Sequence, residues 1–312
     1  MQVVRHIDDP NLSSTGSVIT LGNFDGIHLG HQALIGGAVS EARKLAIPSV
    51  VLTFEPHPLK VLAPGRAPKM LLTHKDKMQL LQALGVDIVV IQSFDLSFAS
   101  LAAEEFVRRI LVERLKARKI WVGRDLRFGQ GRKGNVADLE RWGAEMGFGV
   151  NTVDAIVIGG ARVSSSRIRQ LVTEGQVDAV APLLGRFHFV SGRVVAGHRR
   201  GRELGFPTAN IATRAEVLPL DGIYATIFHL AERRLLSVTS IGVNPTFGEG
   251  PRTVESYILN FAEDIYGEAA RLSFVRRLRG EMKFASVDDL SAQIRQDIAG
   301  AEGIFRQLHL PG

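Results

Sequence analysis

The pattern of apolar residues changes near residue 185, and this change limits the folds that the chain can adopt. Before that point, short runs rich in Val and Ile alternate with amphipathic stretches, which is typical of a parallel sheet covered by helices on both faces. After it, short alternating runs are separated by Gly, Pro and polar turns, which predicts an antiparallel β-barrel. We therefore expect an α/β domain over residues 1–186 and a β-barrel domain with a terminal helix over residues 187–312.

The same patterns predict the individual elements. The predicted strands of the first domain are Ser17–Leu21, Ser49–Phe54, Asp87–Gln92, Lys119–Val122 and Val150–Ile158. Its predicted helices are His31–Ala46, Lys75–Leu84, Leu101–Lys116, Val136–Met146, Ser166–Glu174 and Val177–Leu184. The predicted barrel strands are Phe189–Val195, Ile223–His229, Leu235–Ile241, Val254–Phe261 and Ala270–Val275, followed by a helix from about Ser286 to Leu308.

Composition narrows the class of protein. A chain of 312 residues, 45% hydrophobic and 22% charged, is typical of a globular protein with buried cores. The absence of cysteine excludes disulfides and thiolate chemistry, and it allows the cytoplasmic location that we expect. We expect no membrane association, because no apolar run approaches the roughly 18 residues of a span and the first residues lack a signal peptide's apolar core. The formal net charge of +6 suits anionic substrates and also permits nucleic acid.

Residues 18–31 join a buried strand, a glycine turn and the start of a helix. Gly22 and Gly26 bracket the turn, where a missing Cβ lets the backbone approach a ligand. Free backbone N–H groups and the positive end of the helix dipole then point at one spot, where His28 and His31 add donors. This pattern predicts a site for a nucleotide triphosphate. The alternative is half of a metal site, although no third strong ligand is nearby in the sequence.

Three further motifs of the first half carry polar groups. Phe54–Pro58 ends the second strand and presents Glu55 and His57 at the sheet edge, unless it is only a rigid loop. In Gly123–Gly129, Asp125 could accept from a ribose or flavin and Arg127 could pair with phosphate, and the alternative is a solvated charged turn. The third motif opens a helix and predicts a phosphate cradle or an ordinary serine cap. Its polar residues are Ser164, Ser165, Ser166 and Arg169.

The strongest motif of the second half is the loop Gly201–Asn210. Gly201 and Gly205 permit a tight turn before Pro207. Thr208 and Asn210 carry hard oxygen atoms, which suit Mg²⁺ on a phosphate chain. The alternative is a loop that only enters a strand.

Glu255 lies in a predicted strand, Thr253–Leu259. Its carboxylate could take a proton from a substrate hydroxyl as that oxygen attacks a phosphate, or it could be a surface residue of the barrel. Asn244, Thr246 and Arg279 are candidate flavin or phosphate contacts, and a turn or a helix entry explains them nearly as well.

Together these motifs resemble one protein family. The string G-x-F-D-G-x-H-x-G-H from Gly22 to His31 resembles the adenylyltransferase half of bacterial bifunctional riboflavin kinase/FAD synthetases. The string R-G-R-x-L-G-F-P-T-A-N ending at Asn210 resembles the ATP-binding loop of riboflavin kinases, and V-E-S-x-I-L around Glu255 is similar to the segment with their catalytic glutamate. The resemblance extends from about Val18 to the last helix, with the motifs in the same order.

The resemblance implies a Rossmann-like nucleotidylyltransferase domain followed by a riboflavin kinase barrel. It implies phosphorylation of riboflavin by ATP to FMN, and attack of an FMN phosphate oxygen on the α-phosphorus of ATP to give FAD and pyrophosphate, with Mg²⁺ as cofactor. The implied catalytic residues are His28, His31 and Glu255. The implied adenylyltransferase contacts are Gly22, Phe24, Asp25, Gly26, Glu55, His57, Asp125, Arg127, Ser164, Ser165 and Arg169. The implied kinase contacts are Gly201, Arg202, Gly205, Phe206, Pro207, Thr208, Asn210, Asn244, Thr246 and Arg279, with Thr208 and Asn210 as metal ligands.

The chain departs from the family pattern at four positions. Leu126 and Ser166 stand where Phe and Thr are usual, and Tyr257 and Asn260 stand where His and Asp are frequent. Two other functions remain open. The chain could be a single-activity nucleotidylyltransferase with a binding barrel, or it could bind nucleic acid, although its aromatic residues are 7% and scattered. We expect small-molecule partners and no nucleic acid, and an oligomer is possible.

Overall fold

The computed structural model describes residues 1–9, 12, 15–197, 205–243 and 252–310. These residues form two compact units. The first unit contains residues 1–69 and 74–164, and the second contains residues 70–73 together with the chain from residue 165 onward.

The first unit alternates strands and helices. Its strands are β1 (Gln2–Arg5), β2 (Ser17–Leu21), β3 (Ser49–Glu55), β4 (Ile88–Ser93), β5 (Ala117–Gly123), β6 (Gly149–Val153), β7 (Val157–Ile158) and β8 (Ala161–Arg162). Its α-helices are α1 (Leu29–Leu45), α2 (Pro58–Leu62), α3 (His74–Ala83), α4 (Leu96–Ala99), α5 (Ala103–Glu105) and α6 (Val136–Met146). A π-helix covers Phe106–Arg114, and short 3₁₀ turns cover Pro64–Arg66 and Gln130–Arg132.

The second unit begins with two helices, continues as a barrel and ends with a long helix. The helices are α7 (Ser165–Thr173), α8 (Val177–Leu184) and α9 (Val287–Gln307). The strands are β9 (His188–Val195), β10 (Thr208–Thr213), β11 (Gly222–Leu230), β12 (Arg233–Val243), β13 (Arg252–Ile258) and β14 (Ala269–Arg279).

The large sheet of the first unit is parallel throughout its described pairs, in the order β1-β4-β3-β2-β5-β6. All five residues of the central strand β2 are buried, as expected for a sheet covered on both faces. From β2 the chain proceeds to β3 and β4 on one side and later to β5 and β6 on the other. The strand order therefore reverses beside β2, and ligands bind at the carboxyl ends of strands next to such a reversal. The predicted motifs after β2, β3 and β5 all lie at this edge.

The strands of the second unit close a barrel in the order β10-β13-β12-β11-β14-β9, with antiparallel pairing between the described neighbours. Its interior is aromatic, with Tyr224, Phe228 and Phe274 fully buried. Outside the barrel, Phe305 of α9 packs in a cluster with Val275 of β14. The predicted fold class, an α/β domain with a parallel sheet followed by an antiparallel barrel with a terminal helix, is confirmed.

Several predicted boundaries were wrong. The single helix predicted over Leu101–Lys116 is α5 followed by the π-helix, whose i→i+5 bonding is visible where Leu115 N–H donates to Ile110 O at 3.0 Å. Apolar residues spaced at about 3.6 residues in the sequence do not distinguish a short π-helix from an α-helix. The strand predicted over Val150–Ile158 is broken after Val153, and the strand predicted to Phe261 ends at Ile258. Strands β1 and β10 are additional to the prediction, since both are short and lack a long apolar run.

Candidate active sites

The loop after β2 leads directly into the N-terminus of α1. Gly26 has a φ of 78°, a left-handed conformation that glycine adopts without strain, and Phe24 and Ile27 also have positive φ values of 48° and 40°. The chain therefore turns sharply between strand and helix. Gly22 lies under the ring of Phe24, since a Cβ there would be 3.3 Å from that ring. His28 is the N-cap of α1, which places its imidazole at the positive end of the helix dipole.

His28 and His31 form a stacked pair where this loop enters α1. Their ring centroids are 3.7 Å apart and their planes differ by 17°. The backbone N–H of His31 donates to Nδ1 of His28 at 3.4 Å, and the ring of Phe24 meets His31 edge-on at 5.3 Å. Phe24, Asp25 and His28 are all buried. Contacts within the loop therefore hold both imidazoles in one orientation.

His31 is neutral at physiological pH. Burial lowers its pKa well below the ordinary value, and the positive charges of His28 and Lys77 lower it further. Its Nδ1 is buried and has no hydrogen-bond partner among the residues that the structure describes. A neutral imidazole has one N–H donor and one acceptor, so His31 has bonding capacity left for a bound ligand.

Lys77 on α3 lies against the same loop. Its Nζ donates to the backbone oxygen of Asn23 at 2.8 Å and to Oγ1 of Thr53 at 2.9 Å. Burial lowers the pKa of Lys77 to about 8, and the negative charges of Asp25 and Glu55 oppose this shift. The His28–His31 pair is thus accompanied by a cation that holds the backbone of the loop.

The predicted residues Glu55 and His57 lie where β3 ends. Nε2 of His57 is 2.9 Å from the side-chain nitrogen of Asn23, and its Nδ1 accepts from the N–H of Leu59 in α2 at 3.2 Å. The carboxylate of Glu55 is 3.3 Å from Nδ1 of His74. The structure therefore brings His57 against the loop after β2, at the edge where the sequence placed it.

The remaining predicted residues of the first half lie in two other segments. Asp125 and Arg127 are exposed in the turn after β5, where Asp125 pairs with Arg162 at 2.6 Å. This ion pair is compatible with the surface-turn alternative, so their contacts with nucleotide or flavin stay a prediction. The residues at the beginning of α7 are Ser164 just before it, and Ser165 and Arg169 within it.

Strands β10 and β13 bring together three predicted kinase residues. Asn210 lies directly opposite Glu255, and Thr208 lies opposite Tyr257. Opposite residues of antiparallel strands project to the same face with Cβ atoms about 5 Å apart, and residues two apart on a strand share a face. A hydroxyl, an amide and a carboxylate from Thr208, Asn210 and Glu255 therefore lie on one face.

A cavity of about 410 Å³ adjoins these strands in the described part of the second unit. Its walls include Pro207, Thr208 and Asn210 on one side, Ser256 of β13, and residues 261–266 of the turn that follows. Volumes of this size are typical of small-molecule sites. The loop of the predicted P-T-A-N string is therefore a cavity wall.

Some of the other predicted kinase residues lie within the described residues, and the rest lie outside them. Gly205 has a φ of 82°, and the ring of Phe206 packs edge-on against Tyr257 with centroids 5.6 Å apart. The departure at Tyr257 thus gives the strand an aromatic contact with the loop. The predicted residues Gly201, Arg202, Asn244 and Thr246 lie outside the described residues.

Arg279 lies at the end of β14 and binds Asp297 of α9. Its Nε and Nη2 donate to the two carboxylate oxygens of Asp297 at 2.9 and 2.7 Å, and Nη1 donates to the oxygen of Gly280 at 2.9 Å. This pair fastens the terminal helix to the barrel. A substrate contact by Arg279 stays a prediction.

Among the described residues, no group of three or more His, Cys, Asp or Glu side chains could hold a metal ion. Thr208, Asn210 and Glu255 instead offer hydroxyl, amide and carboxylate oxygens, a donor set that fits Mg²⁺. Across the same residues, every helix is too short or too polar to cross a membrane.

Comparisons with known proteins match both halves of the chain. A family model described as FAD synthetase matches residues 11–167, and one described as riboflavin kinase matches residues 184–305. The bifunctional riboflavin kinase/FMN adenylyltransferase of Escherichia coli (strain K12) is 39% identical over 98% of this chain and 98% of its own length. The chain belongs to the bifunctional riboflavin kinase/FMN adenylyltransferase family.

Other relatives of this family match over nearly the whole chain. The enzyme of Pseudomonas fluorescens is 36% identical over 97% of this chain and 98% of its own. The enzyme of Haemophilus influenzae is 34% identical over 98% of this chain and 99% of its own. A crystal structure described as a macrolide-efflux protein from Streptococcus pneumoniae has the same fold, with a TM-score of 0.87 at 32% identity over 97% of this chain and 99% of that one.

Membership of the bifunctional family establishes the two reactions. The chain phosphorylates riboflavin to FMN with ATP, and it adenylylates FMN with ATP to form FAD. The predicted enzyme class and small-molecule substrates are confirmed, and the single-activity alternative is excluded.

Sequence reasoning missed two residues that contact this family's candidate sites. Lys77 holds the histidine loop, but the sequence gives it the same appearance as the exposed Lys75 two residues earlier. Ser256 lines the cavity opposite Ala209, and only the strand register reveals this. The sequence gives no signal for Ser256, because adjacent residues of a strand project to opposite faces and its neighbour Glu255 therefore says nothing about this face.

Proposed function

We propose that the two reactions occur at the two clusters described above, adenylyl transfer at the His28–His31 loop and riboflavin phosphorylation at the Thr208–Asn210–Glu255 face. The observation that supports this most is the pairing of Asn210 with Glu255, because it joins a motif residue of one segment to the candidate base of another. The stacked His28–His31 pair at the N-terminus of α1 supports the other assignment.

For adenylyl transfer, a phosphate oxygen of FMN attacks the α-phosphorus of ATP in line. A new P–O bond to FMN forms while the bond from the α-phosphorus to the bridging oxygen breaks, and pyrophosphate leaves with that oxygen. No protein nucleophile is needed, so the enzyme aligns two anions and offsets the developing charge. His28, His31 and the first N–H groups of α1 are donors for phosphoryl oxygens.

The other adenylyltransferase contacts that we propose are of two kinds. Gly22, Phe24, Asp25 and Gly26 shape the loop, and Glu55 and His57 border it. The contacts that rest on the sequence motifs alone are Asp125, Arg127, Ser164, Ser165 and Arg169.

For phosphorylation, Glu255 accepts the proton of the ribityl 5′-hydroxyl as that oxygen attacks the γ-phosphorus of ATP. The bond from the γ-phosphorus to the bridging oxygen breaks, and ADP leaves. Thr208 and Asn210 would hold Mg²⁺, which neutralises charge on the phosphate chain when it is bound. Pro207 forms part of the adjoining wall of the cavity, and Phe206 packs against Tyr257 of β13.

Mixing of two single variants tests the assignment. A variant with His31→Ala and another with Glu255→Gln are each given riboflavin, ATP and Mg²⁺, and FMN and FAD are separated by chromatography. The first should accumulate FMN, and the second should form neither product. The mixture should form FAD, because FMN from one chain is adenylylated by the other. A mixture that makes no more FAD than either variant alone contradicts two separate sites.

We place the enzyme in the cytoplasm with riboflavin, FMN and ATP as its partners, and we propose no nucleic-acid role. Retention on RNA at physiological salt would oppose this assignment. We assign residues 1–186 to FMN adenylyltransferase and residues 187–312 to riboflavin kinase. The family models support that order, with a gap between residues 167 and 184.

A further inference from the structure

Lys77 is a partly buried basic side chain whose ammonium group contacts the interior of the first unit. It lies on α3, and its ammonium group donates to Asn23 O at 2.8 Å and to Thr53 Oγ1 at 2.9 Å. Thr53 is 1% exposed and belongs to β3, while Asn23 belongs to the loop after β2. One side chain thus links a helix, a strand and the loop that carries the histidine pair.

The contacts continue from Asn23 to His57 and α2. The side-chain nitrogen of Asn23 is 2.9 Å from Nε2 of His57, and His57 accepts the N–H of Leu59 at the start of α2. Asn23 is therefore held on its backbone by Lys77 and on its side chain by His57. The next residue, Phe24, has a positive φ of 48° and packs edge-on against the ring of His31. Movement of Asn23 would consequently move the ring that supports His31.

Packing alone does not explain a lysine at this place. Removing an ammonium from water is costly, and its two acceptors here are a carbonyl and a hydroxyl, both neutral. A methionine would fill the same space with a stem of similar length and without that cost. An ammonium has three N–H donors, and the described contacts use two. The carboxylates of Asp25 and Glu55 contribute negative charge around it.

We propose that Lys77 is a positioning residue for adenylyl transfer, which fixes the turn at Asn23 and thereby the orientation of the His31 imidazole toward bound ATP. The inference rests on the proposed function of the His28–His31 loop. It adds to that function a residue outside the sequence motifs.

The pKa shifts of His31 and Lys77 are consistent with the position of Lys77 beside the histidine pair. The positive charge of Lys77 is one of the causes that lower the pKa of His31, after burial and His28. The pKa of Lys77 itself is about 8, so the ammonium is charged at neutral pH and loses its proton as the pH rises through 8. The groups that face it are His31 from α1, Asp25 from the loop and Glu55 from β3.

Lys77→Met tests the proposal, with Lys75→Met on the exposed side of the same helix as the matched control. Thermal unfolding followed by circular dichroism reports on the folding of the first unit, and riboflavin phosphorylation by the same chain reports on the second. A misplacement of about 1 Å costs roughly 100-fold in rate. We therefore expect kcat for adenylylation of supplied FMN to fall about 100-fold in Lys77→Met, with KM for ATP changed less than kcat. Lys75→Met should match the wild type in both activities.

Two readouts separate positioning from a general structural role. In Lys77→Ala, added alkylamines should restore adenylylation. In ¹³C-histidine-labelled Lys77→Met, the resonance of His31 should titrate at higher pH than in the wild type, because a like charge is gone. Adenylylation by Lys77→Met within threefold of the wild type would overturn the inference. So would a variant that amines do not rescue and whose His31 titration is unchanged.

Failure of the proposal for Lys77 can be distinguished from failure of the assignment of adenylyl transfer to the His28–His31 loop. If His31→Ala loses adenylylation while Lys77→Met keeps it, only the role of Lys77 is wrong. If His31→Ala keeps adenylylation, the loop is not the site, and the inference falls with it. If Lys77→Met loses the kinase activity as well, the test is made with Lys77→Gln instead, and the same outcomes support or overturn the proposal.

Discussion

Asn210 and Glu255 are directly opposite one another on the adjacent antiparallel strands β10 and β13. Their side chains therefore project from the same face of the barrel, about 5 Å apart at Cβ. The two residues are 45 positions apart in the sequence, from 210 to 255, so only the barrel brings them together. A carboxylate next to an amide and a hydroxyl combines a proton acceptor with oxygen atoms of the kind that bind Mg²⁺.

Glu255→Gln keeps the size of the side chain and removes its basicity. Because general-base catalysis contributes about 10²–10⁴-fold, we expect riboflavin phosphorylation to fall by at least about 100-fold. Adenylylation of supplied FMN should stay within twofold of the wild type. Rates of FMN and FAD formation measured separately by chromatography check this. Normal phosphorylation by this variant would remove Glu255 from the role of base.

His31→Ala removes one donor and the ring that stacks on His28. A donor aimed at charge that develops in the transition state is worth about 10²–10³-fold. We expect adenylylation to fall by that factor while riboflavin phosphorylation survives, which is visible as accumulation of FMN. Equal loss of both activities would mean that the substitution acts on the fold rather than on the reaction.

Much of this arrangement follows from the sequence, and the parts that do not have physical reasons. The glycine turn and histidines after β2 could be predicted, because strand, turn and helix start are adjacent in the chain. The role of Lys77 could not, since its partners Asn23 and Thr53 come from segments that only the folded sheet brings together. The pairing of Asn210 with Glu255 needed a register, and a strand pattern leaves the register open by any even shift.

The strands likewise include some that could be predicted from the sequence and some that could not. The central strands β2, β3 and β4 are nearly continuous Val, Ile and Leu runs, so their positions were predicted within one residue. The edge strand β1 has one buried residue of four and gives little signal. In β10, the alternation spans six residues that begin with Thr208 directly after Pro207, which reads equally well as the end of a loop.

Acid should destabilise the second unit through His188. This residue of β9 is 3% exposed, and burial, followed by the positive charge of Arg186, lowers its pKa to about 3. In the unfolded chain the pKa returns to its ordinary value near 6.5. Between these values the unfolded chain binds a proton that the folded chain does not. The free energy of unfolding therefore has its full value, as far as His188 is concerned, above pH 6.5, and it declines as the pH falls toward 3.

At pH 5 this loss amounts to about 2 kcal/mol. We expect the temperature at which riboflavin kinase activity is lost to fall between pH 7 and pH 5, and His188→Phe to reduce that fall. The substitution keeps an aromatic ring against Phe274, with which His188 stacks at 6.0 Å. An unchanged pH dependence in the variant would assign the acid sensitivity to other groups.

The helices α7 and α8 belong with the barrel in the structure, although the sequence suggests a boundary after them. Val177 of α8 is fully buried in the same cluster as Tyr224 and Phe274. Val180, Leu183 and Leu184 on the same helix are also buried. Burying one such side chain contributes about 1.5–3 kcal/mol. Removal of the helix should therefore cost the barrel several kcal/mol and expose apolar surface.

Two fragments distinguish these boundaries. A fragment of residues 165–312 should phosphorylate riboflavin and should unfold at a clearly higher temperature than a fragment of residues 187–312. A third fragment, residues 165–312 with Val177→Asp, provides the control, because a carboxylate in the cluster should remove most of the advantage without shortening the chain. Equal melting temperatures for the two unsubstituted fragments would show that the barrel is complete from residue 187. Kinase activity confined to the longer fragment would show instead that α7 and α8 are part of the folding unit that makes FMN.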